Sequence, residues 1–139
     1  MFKKILVPVD LTEKQQRPLE VAAELAAQAK GEVTLLHVIE LIPGLSMEEE
    51  RPFYDRLERM ARAHFEHLVP RLGALKIAWQ TEVLYGPRAA TVVRHAMDWG
   101  ADLIVLASHR IDLNNPVAGW GTVSYQISIL SQCPVLMIK

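Results

Sequence analysis

Five short apolar runs, rich in β-branched residues, recur along the chain and alternate with longer stretches whose apolar positions fall three and four apart. The first is Lys4–Val9 (KILVPV), with Pro8 late enough to leave a strand intact. Glu32–Ile39 (EVTLLHVI) is the second. The third, Ile77–Leu84 (IAWQTEVL), mixes polar and apolar side chains as an edge strand does. Asp102–Leu106 (DLIVL) and Pro134–Ile138 (PVLMI) complete the set. Runs that are apolar on both faces suit a parallel sheet covered by helices on both sides.

The intervening stretches read as helices. Leu19, Ala22, Leu25, Ala26 and Ala29 form one stripe, with Pro18 in the first turn and Gly31 as the C′ residue. Leu57, Met60, Ala61, His64, Phe65 and Leu68 form a broader one, ended by Pro70 and Gly73. Pro87 opens a third helix, with Val92, Val93, Ala96 and Met97 facing inward and Gly100 closing it. Gly121-Thr122 opens a fourth, carrying Val123, Ile127 and Leu130. The alternation βαβαβαβαβ, with no repeat or linker, predicts a single α/β domain over residues 1–139. Right-handed crossovers then give an open, doubly wound five-stranded parallel sheet of order 3-2-1-4-5, with helices on both faces. Ligands of such sheets bind outside the carboxyl ends of the strands where the order reverses, here between the first and fourth. Pro8–Leu11 and the loop from Ala107 onward are therefore the places to seek function.

Composition narrows the classes. The chain has 139 residues, half of them apolar, and a formal net charge of −1, which argues for neither nucleic acid nor an anionic membrane surface. No apolar run is long enough for membrane insertion. The single cysteine, Cys133, precludes an internal disulfide and suits a reducing, cytoplasmic setting. It precedes Pro134 with no histidine or acid beside it, so packing is its expected role.

Asp10 ends the first strand at the switch point, either as a polar anchor for a ligand or as a turn and capping residue. It is not a phosphoacceptor of the response-regulator kind: no second acid stands beside it, and the third strand ends in Tyr85-Gly86-Pro87. The loop Ser108–Thr122 is long for a strand-to-helix connection. It ends on a glycine before a helix start, an arrangement that favours anions, and Arg110 adds charge; a plain surface loop with a helix cap is the other reading. No Walker sequence or dinucleotide fingerprint is present. His64 and His67 share a helix face without a third ligand and are not read as a metal site. His37 reads as a core or strand-end histidine and His95 as a helix-surface one. Only His109 stands in the switch-point loop. No catalytic constellation can be assembled. From Val117 through Ile138 no residue is charged, so the fourth helix presents either a mild polar surface of Ser124, Gln126, Ser128 and Gln132 or a face on which Trp120, Tyr125 and Ile129 meet another protein.

Lys4–Asp10, Leu36-His37-Val38, Ala101–Val105, Ser108-His109 and Cys133–Leu136, in this order and spacing, resemble the universal stress protein family along essentially the whole chain. Many members bind ATP through G-x2-G-x9-G-[S/T] after the fourth strand. Here Ala107 and Arg110 stand at the first two glycine positions and Gly121-Thr122 at the last, in a loop one residue longer; Gly119 offers a second registration. The resemblance implies ATP or another adenine nucleotide, with magnesium. Asp10 and Val38 would hold the nucleoside, and Pro8 and Leu106 would line its pocket. Ala107, His109 and Arg110 would border it, and Gly121, Thr122 and Val123 would meet phosphate. It also implies a homodimer through the fifth strand, Pro134, Val135, Leu136, Met137 and Ile138, whose bare edge must be paired or covered. The functional expectation is a dimeric nucleotide-binding module that signals stress or energy state. The alternatives are a nucleotide-free assembly module and a slow ATP-hydrolysing or phosphotransfer enzyme.

Overall fold

The computed structural model describes residues 1–11, 16–108, 112–115, 117 and 122–139, with the side chain of Arg71 excepted. The strands are β1 (Lys4–Pro8), β2 (Glu32–Ile39), β3 (Ala78–Tyr85), β4 (Leu103–Ala107) and β5 (Val135–Ile138). The helices are α1 (Gln16–Ala29), α2 (Arg51–Gly73), α3 (Arg88–Trp99) and α4 (Val123–Leu130). All pairings are parallel and the sheet order is β3-β2-β1-β4-β5, as the alternation of elements predicts.

Strand alternation divides the core in two. Ile5, Val7, Val33, Leu35, Leu103 and Val105 face α1 and α2 and pack with Leu19, Ala22, Phe65 and Leu68. Leu6, Leu36, Val38, Ile104 and Leu106 face α3 and α4 and pack with Ala89, Val92, Ala96 and Ile127. The central strands are thus buried on both sides, which is why they read as unbroken apolar runs. β3 is an edge strand, and Trp79 on it is 42% exposed.

Several local readings change. Gly31 is not the left-handed residue after α1: Lys30 is, at φ 54°. Lys30 N–H donates to Ala27 O and Gly31 N–H to Ala26 O, a Schellman closure with lysine at C′. Gly100 does take the left-handed role after α3, at φ 81°. α2 runs through Pro70 to Gly73, because proline costs a helix one hydrogen bond and packing on either side can hold it. Met60, Met97 and Leu130, expected inside, are exposed. β4 begins at Leu103 because the Asp102 carboxylate turns aside to accept from the backbone N–H groups of Lys3 and Lys4, at 2.8 and 3.1 Å.

Two side-chain ties fix α2 and the segment before it. Tyr54, with no exposed surface, donates its hydroxyl to Leu45 O and accepts from Ile42 N–H. Tyr85 at the end of β3 donates to Glu58 at 2.8 Å. Burial and that carboxylate push the phenol up to about 12, so it stays protonated and keeps donating.

Candidate functional site

α3 and α4 both begin at the carboxyl ends of the strands and lie on the same sheet face, so their N-termini flank one hollow. It has a volume of about 350 Å³. Its floor is apolar: Leu36 and Val38 from β2, Leu106 from β4, Val92 from α3 and Ile127 from α4. Pro8, Val9, Asp10 and His37 border it from the β1–β2 side, Ala107 and Ser108 from the end of β4. Arg88 stands on the α3 wall, and Thr122, Val123 and Ser124 on the α4 wall.

The two helix starts are finished differently. At α3, Pro87 is the N-cap and has no side chain to accept a hydrogen bond; the Glu40 carboxylate accepts from Arg88 N–H at 3.2 Å instead. A negative charge already sits on that dipole. At α4 the cap is the neutral hydroxyl of Thr122, which accepts from Tyr125 N–H at 3.2 Å. Ser124 Oγ lies 3.3 Å from Thr122 Oγ1 and 3.5 Å from Ser108 Oγ. Among the described residues, that end of the hollow is polar, uncharged and rich in hydroxyls.

At the β1–β2 border, His37 is buried and its Nδ1 lies 2.7 Å from Val9 O. A carbonyl oxygen only accepts, so Nδ1 carries the proton. Burial holds the imidazole below its ordinary value of 6.5; the Val9 bond opposes this, Arg88 and His64 add to it and Asp10 counters it. Since the folded value lies below 6.5, the unfolded chain takes up a proton first on acidification. Stability is therefore expected to fall as pH drops through and below about 6.5. Urea midpoints compared at about pH 7.5 and about pH 5.5 would check this, with the fall smaller in His37→Asn.

Of the residues the sequence singles out, Pro8, Asp10, Val38, Leu106, Ala107, Thr122 and Val123 line this one hollow. His109, Arg110 and Gly121, and Trp120 of the candidate partner face, lie outside the described residues. Tyr125 and Ile129 are on the surface. The sequence reading did not assign Leu36, His37, Arg88, Val92, Ser124 or Ile127 to the site. A signal existed for Arg88: every helix of this topology that follows a strand starts at the sheet's carboxyl end, so the residue after Pro87 was bound to lie near the crevice. Among the described residues no three potential metal-ligating side chains cluster. Among the described residues that line the hollow, Asp10 is the carboxylate, and magnesium commonly arrives on nucleotide phosphates with one or two carboxylates to assist. No helix among the described residues is long and apolar enough to cross a membrane.

Comparison with known proteins agrees with this architecture. The family model described as "Universal stress protein family" matches residues 1–139. The universal stress protein YxiE of Bacillus subtilis is 28% identical over 150 aligned positions, covering all of both chains. The solved structure of the hypothetical protein MJ0577, from Methanocaldococcus jannaschii, is 29% identical, with a TM-score of 0.84 over 100% of this chain and 96% of that one. A universal stress protein from Archaeoglobus fulgidus, solved in complex with dAMP, is 20% identical, with a TM-score of 0.74 and full coverage of both chains.

Proposed function

The chain belongs to the universal stress protein family, and from that premise we propose that its carboxyl-end hollow binds an adenine nucleotide, with phosphate toward α4 and the base toward β2 and α3. The observation that carries this is the unequal finish of the two helix starts. A carboxylate occupies the α3 terminus, whereas α4 meets the hollow with a neutral hydroxyl cap and two serines. A phosphate is repelled from the first and drawn to the second. The apolar floor of Leu36, Val38 and Leu106 then suits the faces of a base, and the dAMP complex of a protein of this fold is in keeping with that ligand class. Arg88 stands on the base side. The protein would act as a nucleotide-loaded module that reports energy or stress state to partners.

Ser124→Asp tests the polarity of this arrangement. An aspartate in the first turn of α4 favours the helix dipole, so thermal stability should hold or rise slightly. The same carboxylate would repel a phosphate, weakening AMP and ATP by roughly a hundredfold while leaving adenosine unchanged. Equal loss for adenosine, or none for AMP, measured by equilibrium dialysis, would contradict it.

The dimer belongs to the same proposal. Among the described residues β5 pairs only with β4, and Leu136 and Met137 on it are 37% and 36% exposed. Pairing with a second copy would cover this edge. Sedimentation at micromolar concentration should give a dimer, and Met137→Lys a monomer; monomeric wild type would refute the edge pairing. A second reading, an assembly module without nucleotide, is favoured by the outer face of α4, where Ile129 and Leu130 are 65% and 52% exposed. A dimer that binds neither adenosine nor AMP is its signature.

A further inference from the structure

One buried polar group at the hollow is part of neither its apolar floor nor its phosphate end. His37 lies between Leu36 and Val38 on β2, and strand alternation turns it to the α2 side of the sheet, beneath the end of β1. There the regular pairing of β1 is running out. Its ladder with β4 covers only Ile5 and Leu6, and its ladder with β2 stops at Pro8, which has no N–H to give. Beyond it, two bonds from Val9 hold the chain to β2: Val9 N–H donates to Leu36 O at 2.7 Å, and His37 Nδ1–H donates to Val9 O, also at 2.7 Å. Val9 and His37 are 5% and 9% exposed, so water competes little for either bond.

The second bond governs the geometry of the next residue. The Val9 carbonyl and the Asp10 N–H belong to one planar peptide group. With Val9 N–H also held, fixing the carbonyl oxygen orients that plane and so places the Asp10 nitrogen and Cα, the base from which its side chain departs. We propose that His37 is a positioning residue: its imidazole sets the Val9–Asp10 peptide plane and so aims the Asp10 carboxylate into the hollow. The proposal rests on the nucleotide reading, because aim matters only if Asp10 meets a ligand.

Side-chain geometry supplies the test. The amide nitrogen of asparagine falls where Nδ1 of histidine lies, whereas that of glutamine falls where Nε2 lies. His37→Asn can therefore keep the bond to Val9, His37→Gln misplaces it and His37→Leu removes it. AMP affinity should stay close to wild type in His37→Asn and weaken by about tenfold in His37→Gln and His37→Leu. Amide and side-chain NMR shifts of Asp10 should move in the last two variants and not in the first. If His37→Leu does not fold, His37→Gln carries the comparison. An asparagine variant as weak as the glutamine variant, or a glutamine variant equal to wild type, would overturn the proposal. Should wild type bind no AMP, the nucleotide reading fails by itself. The Asp10 shifts then decide on His37: displacement in glutamine with rescue in asparagine supports its positioning role, and no displacement overturns it.

Discussion

Gly31→Ala is expected to destabilise the fold by about 2 kcal/mol, lowering the thermal midpoint by roughly 6–10 °C. The cause is proximity and not backbone angle, since the left-handed position here is taken by Lys30. A Cβ on Gly31 would come within 2.7 Å of the Lys3 Cα and 2.8 Å of its carbonyl carbon. Both are backbone atoms at the start of the β1–β2 pairing, where Glu32 N–H donates to Lys3 O at 2.7 Å. No rotamer can relieve that overlap; the two strands must part at their amino ends. Gly73→Ala is the matched control. It has open space around it and sits at the end of α2, so alanine should be neutral or stabilise by up to about 1 kcal/mol. Thermal melts of the two variants should move in different directions or by very different amounts, and equal losses would refute this account of Gly31.

The contrast between these glycines shows what a sequence conveys. Strand order and the two-faced burial of β1, β2 and β4 were readable because a parallel sheet between helices leaves a hydrophobic signature that little else produces. Gly31 was readable as a boundary but not as a contact, because its partner, Lys3, is distant in sequence and acts through backbone atoms. Pro70 and Met97 misled for a related reason. Neither a helix's tolerance of proline nor the width of its buried face is set by its own spacing; both depend on what packs against it. The site divides in the same way. Asp10 and Thr122 follow from strand ends and helix starts, so topology alone finds them. Arg88 and Ser124 enter because α3 and α4 lie side by side on one sheet face. The Glu40 contact that orients the proposed ligand joins the end of β2 to the start of α3, and no local pattern announces it.

Asp10→Ala is expected to have the largest effect on binding. Asp10 borders the hollow just past the end of β1, the strand between β2 and β4, where the ribose of a nucleotide so oriented would lie. Ribose hydroxyls donating to a carboxylate make charge-assisted hydrogen bonds, each contributing about 1.5–3 kcal/mol. Their loss should weaken affinity by roughly tenfold to a hundredfold. Stability should change little, because Asp10 is at the surface. Calorimetric titration of ATP and AMP, with and without magnesium, against wild type and Asp10→Ala tests the central claim most directly. The account predicts saturable binding of at least one nucleotide to wild type and the stated loss in the variant. No binding of either nucleotide to folded wild type, under either condition, would contradict it.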